Sequence, residues 1–148
     1  MGAVKIEGLD EIVRNMQAIA KDLKGDPLRA SLRKGLNVIR DQARANAPRG
    51  ETGRLAPAIN TRPLPADDVP SNATDGQELF VASSRKKDPD APGNAWYWHF
   101  VEFGTKKNDG GTPFLAPAFD SRKQAAIDEF ANEMRKQLER NVKRIAKT

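Results

Sequence analysis

The stretch Asp26–Pro48, DPLRASLRKGLNVIRDQARANAP, decides the architecture of this chain. Asp26 offers a carboxylate to free backbone N–H groups, and Pro27 falls in a first turn where its missing donor costs nothing, so a helix starts here. Leu28, Leu32, Leu36, Ile39 and Ala43 recur at helical spacing and form its apolar stripe. Pro48 ends the helix, because the residue before a proline is pushed out of helical geometry.

Upstream, Leu9, Ile12, Val13, Met16, Ile19, Ala20 and Leu23 repeat at three and four residues, which predicts an earlier helix ending at Gly25. Val4–Glu7 alternates apolar and polar ahead of Gly8 and fits a short opening strand. Two antiparallel or steeply crossed helices therefore open the fold. Downstream, Pro117–Lys147 predicts one long helix with Phe119, Ala126, Ile127, Phe130, Met134, Leu138, Val142 and Ile145 on its inner side. It spans about 45 Å at the usual rise, more than a body of this size covers, so its far end is expected to meet another subunit or fray.

Between these helices the character changes. Glycines and prolines cluster from Arg49 to Ala116, apolar runs shorten, and long loops are expected near 63–76, 83–95 and 104–113. Strands are expected at Leu55–Arg62 and Glu78–Ser83. Trp96–Phe103 holds five of the nine aromatic residues and reads two ways. Tyr97, Phe100, Val101 and Gly104 fit a helical turn; Trp96, Trp98, Phe100 and Glu102 fit a strand face. The fold class is α+β: two N-terminal helices and one long C-terminal helix packed on a small, mainly antiparallel β-sheet with long loops. At 148 residues a single domain over 1–148 is expected, near the roughly 100 to 150 residues at which domains cluster.

Composition narrows the function. The absence of cysteine rules out disulfides, thiolate metal sites and cysteine nucleophiles. There is no apolar run near the roughly 20 residues of a membrane span, and the N-terminus lacks the layout of a secretory signal, so the chain is expected to stay in the cytoplasm where it is made. A net charge of +5 and a pI near 9.6 raise the question of a nucleic-acid partner. The charges are scattered, however. The last helix mixes Arg122, Lys123, Arg135, Lys136, Arg140, Lys143, Arg144 and Lys147 with Asp120, Asp128, Glu129, Glu133 and Glu139. A solvated or subunit-facing surface is the favoured reading, and direct DNA contact the lesser one.

No catalytic, cofactor-binding or metal-ligating set emerges, and no cofactor is expected. His99 lies alone among aromatics, without further ligands or an orienting group, and reads as a packing residue. Ser71, Ser83, Ser84 and Ser121 lack the strand-to-helix turn that exposes a nucleophile. Asp67 and Asp68, with Asp75 and Glu78, lack the alternating ligands of a calcium loop. Gly104, Gly110 and Gly111 sit near Lys106 and Lys107, but no Gly-Lys-Ser/Thr follows. The aromatic cluster favours burial in the core or at a subunit contact over base stacking, because basic residues do not interleave it. Glu102 inside that cluster then requires a backbone N–H or an arginine as partner.

Three stretches stand out by their order: Ala47-Pro48-Arg49-Gly50-Glu51-Thr52-Gly53-Arg54-Leu55; Tyr97 with Phe100-Val101-Glu102-Phe103-Gly104-Thr105; and Pro113-Phe114-Leu115-Ala116-Pro117-Ala118. With the opening strand and two leading helices, the chain resembles the gene-ten-product-like family of lambdoid siphophages, the tail-completion and head-tail joining proteins. The resemblance covers nearly the whole chain. It implies an α+β subunit of a sixfold ring between the connector below the capsid and the end of the tail tube, with no catalysis. The implied partners are other copies of the chain, neighbouring connector or neck proteins, and a tail terminator or tail tube. The implied location is the virion, after assembly in the host cytoplasm. A tail terminator capping the tube is an alternative, as is a basic nucleic-acid-binding protein. Thr52, Gly53, Leu55, Tyr97, Phe100, Glu102, Phe103, Gly104, Thr105, Pro113, Phe114, Leu115 and Pro117 are the motif residues expected to shape the fold or its interfaces. Gly53 and Gly104 suit sharp turns, and Phe114, Leu115 and Phe119 are expected to anchor the last helix on the sheet.

Overall fold

The computed structural model describes Arg14 and residues 25–50, 53–71, 76–83, 88, 91 and 93–147. The expected strand Val4–Glu7, the helix Leu9–Leu23 apart from Arg14, motif residue Thr52 and much of the 83–95 loop lie outside the described residues. Arg14 itself is helical and exposed.

Helix α1 (Asp26–Asn46) begins where expected, with Pro27 in its first turn, but the Asp26 carboxylate makes no capping bond to a backbone N–H and accepts instead from the Arg29 guanidinium at 3.1 Å; the helix ends at Ala47, whose N–H donates to the Ala43 carbonyl at 2.9 Å. Its buried face differs from the leucine stripe. Ser31, Gly35, Ile39 and Ala43 are buried, whereas Leu28, Leu32 and Leu36 are half-buried flanks. The cause is the close approach of the last helix, α4 (Leu115–Ala146). A Cβ on Gly35 would lie 2.9 Å from the Ala126 carbonyl oxygen, so this position has no room for a side chain. Ser31 is tolerated there because its hydroxyl donates to the Pro27 carbonyl at 2.8 Å.

The expected strand from Leu55 is corrected at its start. Leu55–Ala58 is a single helical turn, α2, and the strand β1 is Ile59–Pro63. Pro57 has no N–H for a ladder but is accommodated within one helical turn, which buries Leu55 and Ala58 on the same side. A 3-10 turn (Ala66–Asp68) precedes β2 (Gln77–Val81), which stops two residues short of the expected Ser83. β1 and β2 pair antiparallel from Ile59 opposite Val81 to Pro63 opposite Gln77. Trp98–Phe103 is helical (α3), which resolves the two-way reading of the aromatic cluster. It leads into a second, separate hairpin, β3 (Gly104–Thr105) with β4 (Asn108–Asp109). Among the described residues the expected single sheet is therefore two antiparallel pairs.

α1 and α4 run antiparallel. Arg122 Nε donates to Gln42 Oε1 at 3.0 Å near one end of the seam, and Lys34 approaches Glu133 at 4.0 Å further along. The core sits at the C-terminal end of α1, where Ile39, Ala43, Leu55, Ala58, Ile59 and Ala118 surround Phe114, the largest fully buried side chain. Arg44 ties β1 to α1 by donating to the Ile59 carbonyl at 2.9 Å and to Asn60 Oδ1 at 2.8 Å. The inner face of α4 is corrected in part: Ala126 is buried and Phe130, Met134 and Ile145 are half-buried, as expected. Ala118, Ala126 and Glu133 are buried, while Phe119, Ile127, Leu138 and Val142 are exposed. At Gly35 the α4 backbone comes so close that no side chain fits on α1 at that point, while the buried Glu133 faces Lys34 further along.

Candidate interaction site: the junction of the motifs

α3 and the start of α4 carry two of the three motifs, and one carboxylate joins them. Glu102 Oε2 accepts from the N–H groups of Phe114 at 2.7 Å and Leu115 at 3.0 Å, and Oε1 accepts from Ala116 at 3.0 Å. These amides are among the four that a helix start leaves without intrahelical acceptors, and the positive end of the helix dipole favours an anion there. Glu102 is 6% exposed. Its expected need for a backbone partner is met three times over, and α4 starts at Leu115, two residues ahead of the expected Pro117. Burial pushes the Glu102 pKa up, but the hydrogen bonds from Leu115, Phe114 and Ala116 together outweigh it and hold the carboxyl below its ordinary value.

The hairpin between the motifs makes this reach possible. Gly104 has φ +89, and a Cβ there would meet the Asn108 carbonyl oxygen and lie 2.6 Å from the Gly111 amide nitrogen, so the turn requires glycine. Thr105 Oγ1 accepts from the Lys107 and Asn108 N–H groups at 3.3 and 3.2 Å. Thr112 N–H then donates to the Val101 carbonyl at 2.7 Å, which returns the chain beside α3. Pro113 and Pro117 are exposed on either side of the buried Phe114, and Leu115 is half-buried. Leu55 is buried in the same core, and Gly53, at φ +61, precedes the α2 turn.

The aromatic residues do not all go inward. Tyr97 is half-buried with its ring edge-on to Trp96 at 5.9 Å, but Phe100 is 47% exposed and Phe103 71% exposed. Core burial, one of the two expectations for the cluster, therefore does not hold for these two. A six-residue helix turns only part of its surface inward, and Glu102 and Val101 occupy that part. His99 stacks on Trp98 with ring centres 4.5 Å apart yet is exposed. Phe119, expected to anchor α4 on the sheet, is 54% exposed. Instead, Phe103 and Phe119 border an apolar groove of about 800 Å³ whose walls include Ile39, Leu79, Trp98 and Leu115. Periodicity missed this groove because its walls come from α1, β2, α3 and α4, which only the tertiary fold brings together.

No helix among the described residues is long and apolar enough to cross a membrane. Residues 10–104 match the family described as "Bacteriophage HK97-gp10, putative tail-component". No curated protein and no solved structure matches the chain. The family match takes in α1, the β1–β2 pair and α3 with its Glu102, and stops at Gly104, so α4 lies beyond it. Covering well over half of the sequence, it shows that the chain belongs to the HK97-gp10-like family of bacteriophage tail components.

Proposed function

We propose that this tail component acts at the head-tail junction as a tail-completion or head-tail joining protein, with copies packed side by side into a closed ring, six in number. In this reading residues 1–148 act as one domain, and the work is mechanical. Each copy buries a heterologous patch on its neighbour, the rotation closes, and many repeated contacts hold the joint. The observation that carries the reading is the exposed Phe103 and Phe119 bordering the apolar groove, with exposed Phe100 on the same short helix as Phe103, on a member of a tail-component family. Clustered exposed aromatics of this kind are a surface that association buries. Among the motif residues, Phe100 and Phe103 supply contact area. Glu102, Gly104, Thr105, Phe114 and Leu115 hold this surface in shape, while Pro113 and Pro117 stiffen the chain on either side of Phe114.

Electron microscopy of virions carrying a tagged copy tests this directly. The expected result is a ring of density between capsid and tail tube, in sixfold register. Density at the distal tip or along the tube, or virions whose tails attach normally without the protein, contradicts it.

A further inference from the structure

Away from the groove, α4 carries a second exposed apolar surface. Ile127 is 57% exposed, Leu138 38% and Val142 45%, and the small Ala131 is exposed with them. At about 100° per residue these four fall within about 60° of one another round the helix. They lie about a quarter to half a turn from Ala126 and Glu133, which face α1 at Gly35 and Lys34. The stripe runs about 22 Å along α4.

We propose that this stripe pairs with the same stripe of a second copy, the two α4 helices running antiparallel. Spacing gives the register. The four residues are separated by four, seven and four positions, an order that reads alike from either end. An antiparallel pair therefore sets Ile127 of each copy opposite Val142 of the other, and Ala131 opposite Leu138, about an axis between Met134 and Arg135. The small Ala131 leaves space for the facing Leu138, so that each leucine finds a hole.

Charge selects the direction. Leu115–Phe130 holds three acidic and two basic residues, a net −1, whereas Ala131–Ala146 holds five basic and two acidic, a net +3. Parallel copies lay the two basic halves side by side; antiparallel copies lay each basic half against an acidic one. Arg135 is the exception, since it lies beside the axis and meets its own copy. One helix face of this length makes a small interface, so paired and free forms exchange. The pairing draws nothing from the joint proposed above. A ring whose copies all point one way has no place for an antiparallel pair, so pairing belongs to the free protein and opens as the ring closes.

The chain has no cysteine, which makes disulfide trapping between copies clean. Full-length Ala131→Cys and Leu138→Cys are mixed under mild oxidation and compared with each variant alone. The mixed covalent dimer is expected to form about tenfold faster than either like pair, because two copies of position 131 lie about 10 Å apart along the axis and only Cα atoms within roughly 7 Å bridge without backbone movement. Like pairs closing fastest would mean another register or direction, and no covalent dimer in any tube would mean an unpaired stripe; both overturn the proposal. Sedimentation equilibrium of the isolated protein needs no new bond. Leu138→Asp is expected to weaken the dimer about tenfold or more, and Arg135→Met, which removes the like charge and keeps the stem, to tighten it several-fold. A tightening cannot come from misfolding. A wild type that stays monomeric at every concentration, or an Arg135→Met dimer no tighter than wild type, overturns the proposal. Phe103→Asp, which strikes the joint, is expected to leave the dimer unchanged; loss of pairing there would move the contact to the groove and overturn the stripe.

Discussion

Replacing Glu102 with glutamine keeps an acceptor at the start of α4 but removes the charge that faces three backbone N–H groups. Hydrogen bonds to an ionised group are worth roughly 1.5 to 3 kcal/mol net, so Glu102→Gln is expected to cost about 1 to 3 kcal/mol at pH 7, read from urea midpoints. The carboxyl titrates in the folded protein below its ordinary value, whereas in the unfolded chain it titrates near about 4.3. Its stabilisation is therefore complete above that unfolded value and is lost as pH falls through the folded one. The wild-type midpoint should drop on acidification below about pH 4 while the Gln variant stays flatter, so that the two converge. Parallel curves would assign the acid sensitivity to other groups. That Glu102 needed a partner was legible in the sequence, from a carboxylate set among aromatics. That the partner is a helix start twelve residues away was not, because the Gly104 hairpin that turns the chain back is a tertiary matter.

At the scale of elements, the α1–α4 seam turns on Gly35. Glycine within a helix costs up to about 1 kcal/mol relative to alanine, and here it admits the Ala126 carbonyl. Gly35→Ala gains helix propensity but forces a backbone shift, and Gly35→Leu adds overpacking that costs roughly 1 to 3 kcal/mol. The expected order of urea midpoints is wild type, then Gly35→Ala, then Gly35→Leu; a Leu variant as stable as wild type would show that the helices are not held this close. On the β1–β2 ribbon, Arg62 lies 4.3 Å over the Phe80 ring and pairs with Glu78, with its side chain half exposed. Exposed pairs of this kind contribute little, so Arg62→Ala should change stability by less than about 1 kcal/mol. Helix existence and approximate limits were legible from period and proline placement. The inward face was legible at Ile39 and Ala43 but not nearer the start of α1, where a hydropathy pattern favours leucines whereas close packing favours Ser31 and Gly35.

For the molecule as a whole, exposed aromatics and a basic charge make opposite demands on the surface. Phe103→Asp places a charge on a side chain that is 71% exposed in the subunit, so the isolated protein should keep its melting temperature within a few degrees, as surface changes usually fall within about 0.5 kcal/mol. In virions the same variant is expected to lower incorporation severely, measured as its signal relative to the major tail protein in purified particles. Incorporation at the wild-type level would remove Phe103 and its groove from the proposed joint. The +5 net charge is spread over the whole chain, and α4 sets its seven basic residues against five acidic ones. Filter retention of DNA by the isolated protein is accordingly expected to be absent even at low salt.

Local chemistry in the sequence determined where α1 and α4 lie, that the chain mixes helix with antiparallel strand, and that Glu102 had to find a donor. It did so because helical period, proline and buried charge act over a few residues and leave their mark in composition and spacing. Only the tertiary structure decided which residues fill the seam, that Leu55–Ala58 coils before β1, that Phe100 faces outward, and that Phe103 and Phe119 do so beside a groove. Those outcomes depend on how closely distant segments approach one another, and that distance is set by steric fit between side chains far apart in the chain.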